Sequence, residues 1–352
     1  MNPGVTILIC TYNGAARLPV TLQHIAQQVM PASVPCEVIL VDNASLDNTV
    51  ELVQEEWSKY DTPIQLRIIS EPKPGLTYAR ESGFAAAAYE FIILCDDDNW
   101  LSPSYVDRAF TVMMRHPSIG LLGGYGQFVY ETTPPEWLVV FNLYAGGRQA
   151  AASGEMKDRL VYGAGAVLRK AAWETLRRQE FAGALTDRLG HQLSSGGDYE
   201  LSYAIALAGY MIWYDEELTF QHFITTNRLT RDYYITYIKE SSRCFSVLEP
   251  YKILLKTGRH GLGSFRWELF KSFWYHVKKT GALLFKIAFV RKGPGRRTAY
   301  MLELLLLKGR LRSYEHLVIM EKNYKQAIEL KFRLLQDNVP KPRSSDYATV
   351  PD

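Results

Sequence analysis

The 352-residue chain is poor in cysteine. It has only Cys10, Cys36, Cys95 and Cys244, and no two of them form a C-x-x-C pair. That spacing suggests neither a zinc site nor a disulfide framework, so a reducing cytoplasm fits best. The chain also lacks G-x-x-x-x-G-K-[ST]. Its first strand-to-helix turn, CTYNGAARL (10–18), carries one glycine where a G-x-G-x-x-G fingerprint needs three, which argues against P-loop and dinucleotide-binding chemistry. Long apolar runs are missing as well. GALLF and IAFV are split by Lys286, and LLLL (304–307) lies between Glu303 and Lys308. A spanning helix needs roughly 20 apolar residues in a row, so none is expected. MNPGVTILIC begins at once with a strand-like run and has no basic n-region, so no signal peptide is expected.

Acid is scarce in one stretch. Between Lys252 and Arg312 there are 15 Lys/Arg against Glu268 and Glu303, an excess of +13 in a chain of net charge +3, which leaves −10 elsewhere. An acidic body joined to a basic region points to an anionic surface. No nucleic-acid recognition motif accompanies the charge, so a membrane surface is favoured and nucleic acid is not expected.

At 47% apolar and 22% charged residues the composition is that of a globular protein, and disorder is not the default. Short apolar runs alternate with helical patterns through the first hundred residues. VTILIC (5–10), CEVILV (36–41), IQLRIIS (64–70) and FIILC (91–95) read as strands. Between them ARLPVTLQHIAQQV (16–29), SLDNTVELVQEEW (45–57, with Ser45 as candidate N-cap) and LTYARESGFAAAA (76–88) read as helices. The pattern predicts βαβ units and a mixed, mostly parallel α/β sheet flanked by helices. Ligands of such sheets bind beyond the carboxyl ends of the strands, and here those ends are polar: CTYN, VDNAS, SEPKPG and CDDDN. Further on, IGLLGGYGQFVY (119–130) and RLVYGAGAVLR (159–169) look like glycine-interrupted strands, with a loop-like segment between them. GGDYELSYAIALAGY (196–210) reads as a glycine turn and a helix, and RDYYITYIKESSRCFSVL (231–248) as one more helix. The expected organisation is a catalytic-type domain over 1–249, a basic amphipathic helical region over 250–338, and a disordered tail over 339–352.

Asp96, Asp97 and Asp98 stand in a row after FIILC. Mg²⁺ is commonly held by one or two carboxylates together with substrate phosphates. In an extended segment residues i and i+2 point the same way, so Asp96 and Asp98 are candidate metal ligands. Asp97 is expected to point elsewhere. A solvated turn, with Asn99 and Ser102 capping the next helix, is the plainer alternative. Asp42 is placed to hydrogen-bond a base or ribose, or simply to cap a helix with Asn43 and Ser45.

The segments VTILICTYNGAARLPVTLQHI, VILVDNASLDNT, EPKPGLTYARESGF, FIILCDDDNWL and GGDYELSYAIALAGYMIWYDEELTFQHF come in this order and at these spacings. Together they resemble the family 2 glycosyltransferases, which have the GT-A (Rossmann-like) fold and usually invert the anomeric centre. The resemblance covers roughly residues 4–235. It implies that Thr11, Tyr12, Asn13, Asp42, Gly75, Arg80 and Asp97 belong to the nucleotide-binding part. It implies that Asp96 and Asp98 form the D-x-D metal site for Mn²⁺ or Mg²⁺, completed by His222. Asp198 matches the catalytic carboxylate of an E-D pattern whose first acid is replaced here by Gly197, so the base is Asp198 or Glu200, with position favouring Asp198. An inverting transfer needs a base on the acceptor side and charge stabilisation on the leaving diphosphate, hence two separate acidic sites. The implied reaction moves a sugar from a nucleotide-diphosphate donor, with UDP-sugars expected first, to a lipid-linked or surface-polysaccharide precursor. A sugar nucleotidyltransferase and a non-catalytic scaffold are the alternatives. The expected place is the cytoplasm, peripheral on the inner membrane, with Trp267, Phe273, Trp274 and Phe285 of the basic region entering the headgroup layer.

Overall fold

The four apolar runs of the first hundred residues form the parallel half of one sheet. A computed structural model describes residues 2–31, 33–185, 196–289 and 293–336. Strands β1 (Val5–Thr11), β2 (Cys36–Asp42), β3 (Gln65–Ser70) and β4 (Phe91–Asp96) lie in the order β3-β2-β1-β4, all parallel. Helices α1 (Leu18–Ala26), α2 (Thr49–Trp57) and α3 (Leu76–Ala86) connect them. Both faces are covered, so Ile7, Leu8, Ile9, Val38, Ile39, Leu40 and Ile93 are all buried, as the unbroken apolar runs require. From β1 the chain steps to β2 and β3 on one side, then returns to β4 on the other. The switch point therefore falls between β1 and β4, where Cys10 pairs with Asp96.

The second half of the sheet is mixed. Its elements are β5 (Asn99–Leu101), α4 (Tyr105–Arg115), β6 (Ile119–Tyr130), α5 (Glu136–Val140), β7 (Gly154–Glu155), β8 (Val167–Arg169), α6 (Lys170–Arg178), α7 (Gly197–Leu207) and β9 (Met211–Ile224). The order continues β4-β8-β6-β9-β5, with β7 on β9. β8 runs antiparallel to β4 and β6, while β6 and β9 are parallel. At the β8 end, the buried Arg169 guanidinium donates to Glu90 at 3.1 Å and to the Ile119 and Met113 carbonyls at 2.7 Å. A charge so deep needs such partners.

Several local expectations are revised. The segment 159–169 is a strand only at Val167–Arg169, because Gly165 at φ +68° turns the chain in the left-handed region. The stretch between β6 and β8 contains α5 and β7 as well as loop. Ser45 does not cap α2; Asn48 holds that position, and the Ser45 hydroxyl accepts from the Asn13 amide instead. Asp97 and Asp98 form a turn between β4 and β5, so the alternation of an extended strand stops at Asp96.

The remaining chain is helical: α8 (Arg231–Arg243), α9 (Phe245–Thr257), α10 (Leu262–Phe289), α11 (Pro294–Ser313) and α12 (Leu317–Gln336). The expected single helix over 231–248 is broken at Cys244, and a division at 249/250 falls inside α9. Helix α9 packs on α7 and α12, and α11 packs on α8 and α5. Tyr251, Leu254, Phe265 and Tyr324 share one apolar cluster with Leu121, Tyr203 and Ile212 of the sheet layers. No helix among the described residues is long and apolar enough to cross a membrane. The expected disordered tail lies outside the described residues.

Candidate active site

A cleft of about 420 Å³ opens at the switch point. Thr11 and Tyr12 from the end of β1, Arg80 of α3, Asp96–Asp98, Asp198 of α7 and His222 of β9 all line it. Residues separated by more than two hundred positions meet there because each sits at the carboxyl end of a strand or the start of a helix.

The three aspartates have three different sets of partners. Asp97 is clamped: Arg17 donates Nε at 2.9 Å and Nη2 at 2.7 Å, the Thr11 hydroxyl donates at 2.7 Å, and the Thr21 hydroxyl caps its carbonyl at 2.9 Å. It thus fixes the β4–β5 turn to α1, and it lines the cleft rather than pointing away from it. Asp98 accepts from Asn99 at 3.1 Å and from Arg228 Nη1 at 2.8 Å, with His222 Nε2 at 3.6 Å. Burial pushes its carboxyl up, but His222 and Arg228 outweigh that and hold it well below the ordinary carboxylate range. Asp96 faces Arg80 Nη2 at 4.0 Å. Burial raises it to about 6, with Asp98 and Asp198 adding to the rise against the pull of Arg80.

His222 is positioned by the pairing of β5 with β9, which sets it opposite Asn99 and so beside Asp98. Its Nδ1 lies 2.6 Å from the Ala145 carbonyl. With its Nδ1 proton on that carbonyl, the ring would offer the Nε2 lone pair to a bound cation. An imidazole nitrogen and a carboxylate oxygen directed at each other fit a Mn²⁺ or Mg²⁺ donor set. Among the described residues no three His, Cys, Asp or Glu side chains converge as a metal shell. Asp98 and His222 lie together, with Asp96 beside them facing Arg80. Two protein ligands suit an ion that completes its shell with substrate phosphates and water.

Across the cleft, Asp198 lies in the first turn of α7. Arg80 donates to its Oδ1, and the Gly163 amide donates to Oδ2 at 3.0 Å. A Cβ on Gly163 would overlap the Asp198 carboxyl group, so this glycine lets the backbone approach. Gly163→Ala is expected to destabilise the fold by about 1–3 kcal/mol in urea denaturation. Adding Asp198→Gly should relieve part of that cost. A double variant with no positive coupling would mean that the collision lies elsewhere. Glu200, the other candidate base, is outside the cleft. It accepts the Ala184 amide at 3.0 Å, the Leu185 amide at 2.8 Å and the Tyr251 hydroxyl at 3.4 Å, and burial raises its carboxyl.

Three expected nucleotide residues do not line the cleft, since their polar groups hold loops behind its wall. Asn13 accepts from the Leu46 amide at 2.8 Å, Asp42 from the Ser45 amide at 3.3 Å, and Gly75 donates its amide to Asn43 at 2.7 Å. Other lining residues escaped the sequence reading, among them Asn43, Arg17, Tyr144, Tyr233, Tyr237 and Arg228. Arg228 lies over the Tyr144 ring at 4.7 Å, and its buried Nε has no hydrogen-bond partner among the described residues. The only sequence signal for it is a basic residue in the polar stretch TTNRLT after the β9 end.

An α/β sheet with an acidic and arginine-bearing cleft at its switch point defines a nucleotide-binding class of domain. Residues 6–177, just under half of the chain, match the family model described as Glycosyl transferase family 2. It is 28% identical over 95 residues to the cholesterol galactosyltransferase of Borreliella burgdorferi, covering 27% of this chain and 25% of that protein. It is 27% identical over 128 residues to glycosyltransferase AglE of Haloferax volcanii, covering 36% of this chain and 41% of the other. The chain thus spans 25% and 41% of the length of these two curated relatives. Among solved structures, the mannosyltransferase PcManGT of Pyrobaculum calidifontis, in complex with GDP-Man and Mn²⁺, superposes with a TM-score of 0.53 at 18% identity. That match covers 96% of this chain and 89% of the other, and it is a likeness of fold.

Proposed function

We propose that the chain is a metal-dependent inverting glycosyltransferase. It would move a sugar from a nucleoside-diphosphate sugar to a hydroxyl of a lipid-linked or surface-polysaccharide precursor. The observation that carries this reading is that one cleft holds acidic groups on separate elements: Asp98 with His222, and Asp198 at the start of α7. The fold neighbour's description, a mannosyltransferase with GDP-Man and Mn²⁺, supports a nucleotide-sugar donor and a divalent cation.

In this reading Asp98 and His222 hold the cation, with Asp96 beside them. A divalent ion there would neutralise charge on the leaving diphosphate. Arg228, whose Nε has no partner among the described residues, and Arg17 offer further N–H donors to the phosphates. Thr11 and Tyr12 line the nucleotide end, with Asn13, Asp42 and Gly75 shaping it from behind. Asp198 takes the proton of the acceptor hydroxyl as that oxygen bonds to the anomeric carbon. The bond from carbon to phosphate oxygen breaks, and its electron pair leaves with the diphosphate. A carboxylate has about four lone-pair sites. Arg80 and the Gly163 amide take two of those on Asp198, which leaves room for the substrate proton.

A thermal-shift screen of UDP-, GDP- and dTDP-sugars, with Mn²⁺ or with EDTA, tests the reading. One nucleotide class, with UDP expected first, should raise the melting temperature by several degrees with metal present and be hydrolysed slowly. If none of the three stabilises the protein or turns over in Mn²⁺, the assignment fails.

A further inference from the structure

Helix α10 has two unlike faces. Phe265, Leu269, His276 and Leu283 are buried, and at 3.6 residues per turn they fall within about 40° of one another. Phe265 stacks on Tyr324 of α12 at 4.3 Å, which fixes this face inward. The opposite face carries Trp267, Phe270, Trp274, Phe285 and Phe289, each between 46% and 73% exposed. These five fall within about 100° and extend over about 33 Å of helix. Phe273, expected on the same face, is instead half-buried against Tyr314 at 5.3 Å. Scattered exposed apolar residues need no explanation, but an aligned row of large aromatics on a solvent face does.

Charge selects what covers the row. Lys271 and Lys278 are exposed on the same face. The two acids of the basic span are already engaged: Glu268 with Lys271 and, at 3.4 Å, with Lys256, and Glu303 with Lys279 at 3.1 Å. Lys271 keeps Glu268, whereas Lys278 pairs with no carboxylate among the described residues; a second copy docked through the same face would bring no acid to it, and an anionic surface would neutralise it. Tryptophan and phenylalanine interleaved with lysine is the composition of a helix lying in a lipid headgroup layer. No described helix is apolar enough to cross instead.

We infer that α10 docks the protein on an anionic lipid surface, with the Trp267–Phe289 face in the headgroup layer. The docking face and the cleft lie on elements that pack in sequence. α10 rests on α11, α11 rests on α8, and Tyr233 and Tyr237 of α8 line the cleft. This inference is independent of the catalytic reading, since it concerns only where the protein rests.

The test is co-sedimentation of the full chain with sucrose-loaded vesicles, either of phosphatidylcholine alone or with one-third phosphatidylserine. Binding is expected with the anionic vesicles and to be at least tenfold weaker with phosphatidylcholine or in molar salt. Trp267→Ser with Trp274→Ser and Phe285→Ser should weaken partitioning by at least tenfold, and Lys278→Glu by several-fold, with circular dichroism unchanged because all four side chains are exposed. Absence of wild-type binding, or triple-variant binding equal to wild type, overturns the inference. So does a concentration-dependent dimer in light scattering that the triple variant abolishes without any vesicle binding, which would assign the face to a second copy.

Discussion

Replacing Asp198 with asparagine is expected to lower turnover by about a thousandfold while donor affinity stays within a few-fold of wild type. General-base groups contribute roughly 10²–10⁴ to rate, and the amide removes basicity while keeping shape. Shape matters at this position because Gly163 leaves space for a carboxyl-sized group and no more. An asparagine still accepts the Gly163 amide, so the backbone on which the cleft wall depends stays in place. Arg80 loses a charged partner but retains Asp96 at 4.0 Å, so it is not left without a carboxylate nearby. The measurement pairs single-turnover kinetics with calorimetric donor binding in Mn²⁺. Donor affinity falling in step with turnover would mean that Asp198 acts by holding Arg80. Unchanged turnover would place the base on another residue. Glu200→Gln is the control. Its carboxylate caps the Ala184 and Leu185 amides, so the expected loss is in melting temperature and not in the chemical step of the folded enzyme.

What could be read beforehand followed the distance over which each feature is decided. The strands β1 to β4 were legible because a parallel strand covered on both faces must be apolar at every position, and VTILIC or FIILC can hardly be anything else. That Thr11, Tyr12, Asp96 and Asp98 share a cleft was legible from the rule that ligands lie beyond strand ends in such sheets, whereas Asp198 and His222 entered only through the family resemblance; all six line the cleft. Arg228 was not legible. Its partner Asp98 lies 130 residues earlier, and no local spacing announces the pair. Asp97 was half-read. Alternation along an extended strand put it on the far side of its neighbours, but the chain turns at Asp97–Asp98. The bidentate hold of Arg17 then keeps Asp97 at the cleft as a clamp. Ser45 has a good capping residue type in a good position, yet the Asn13 amide competes for its hydroxyl and wins. Likewise the break at Cys244 between α8 and α9 carries no proline or glycine to mark it. For Arg228, Asp97 and Ser45 a contact made elsewhere in the fold outweighed a local preference.

The second large effect is expected at the metal half of the cleft. Asp98→Asn should reduce Mn²⁺-supported turnover by at least a hundredfold and weaken Mn²⁺ binding, read by electron paramagnetic resonance in the presence of the nucleotide diphosphate. His222→Gln should weaken both by about 10–100-fold. Asparagine is the informative replacement at Asp98. It keeps an oxygen for Arg228, whereas alanine would strand a largely buried guanidinium and cost about 3–5 kcal/mol of stability for reasons unrelated to the ion. The deciding quantity is the coupling between the two substitutions. If both side chains hold one cation, the first loss removes most of what the second could remove, and the double variant should be little worse than Asp98→Asn alone. If Asp98 serves only Arg228, and His222 only the Ala145 carbonyl, their effects on turnover multiply and Mn²⁺ affinity does not move with either. The 3.6 Å between the Asp98 carboxylate and His222 Nε2 favours the coupled outcome, because both groups are already directed at the space that one ion would share.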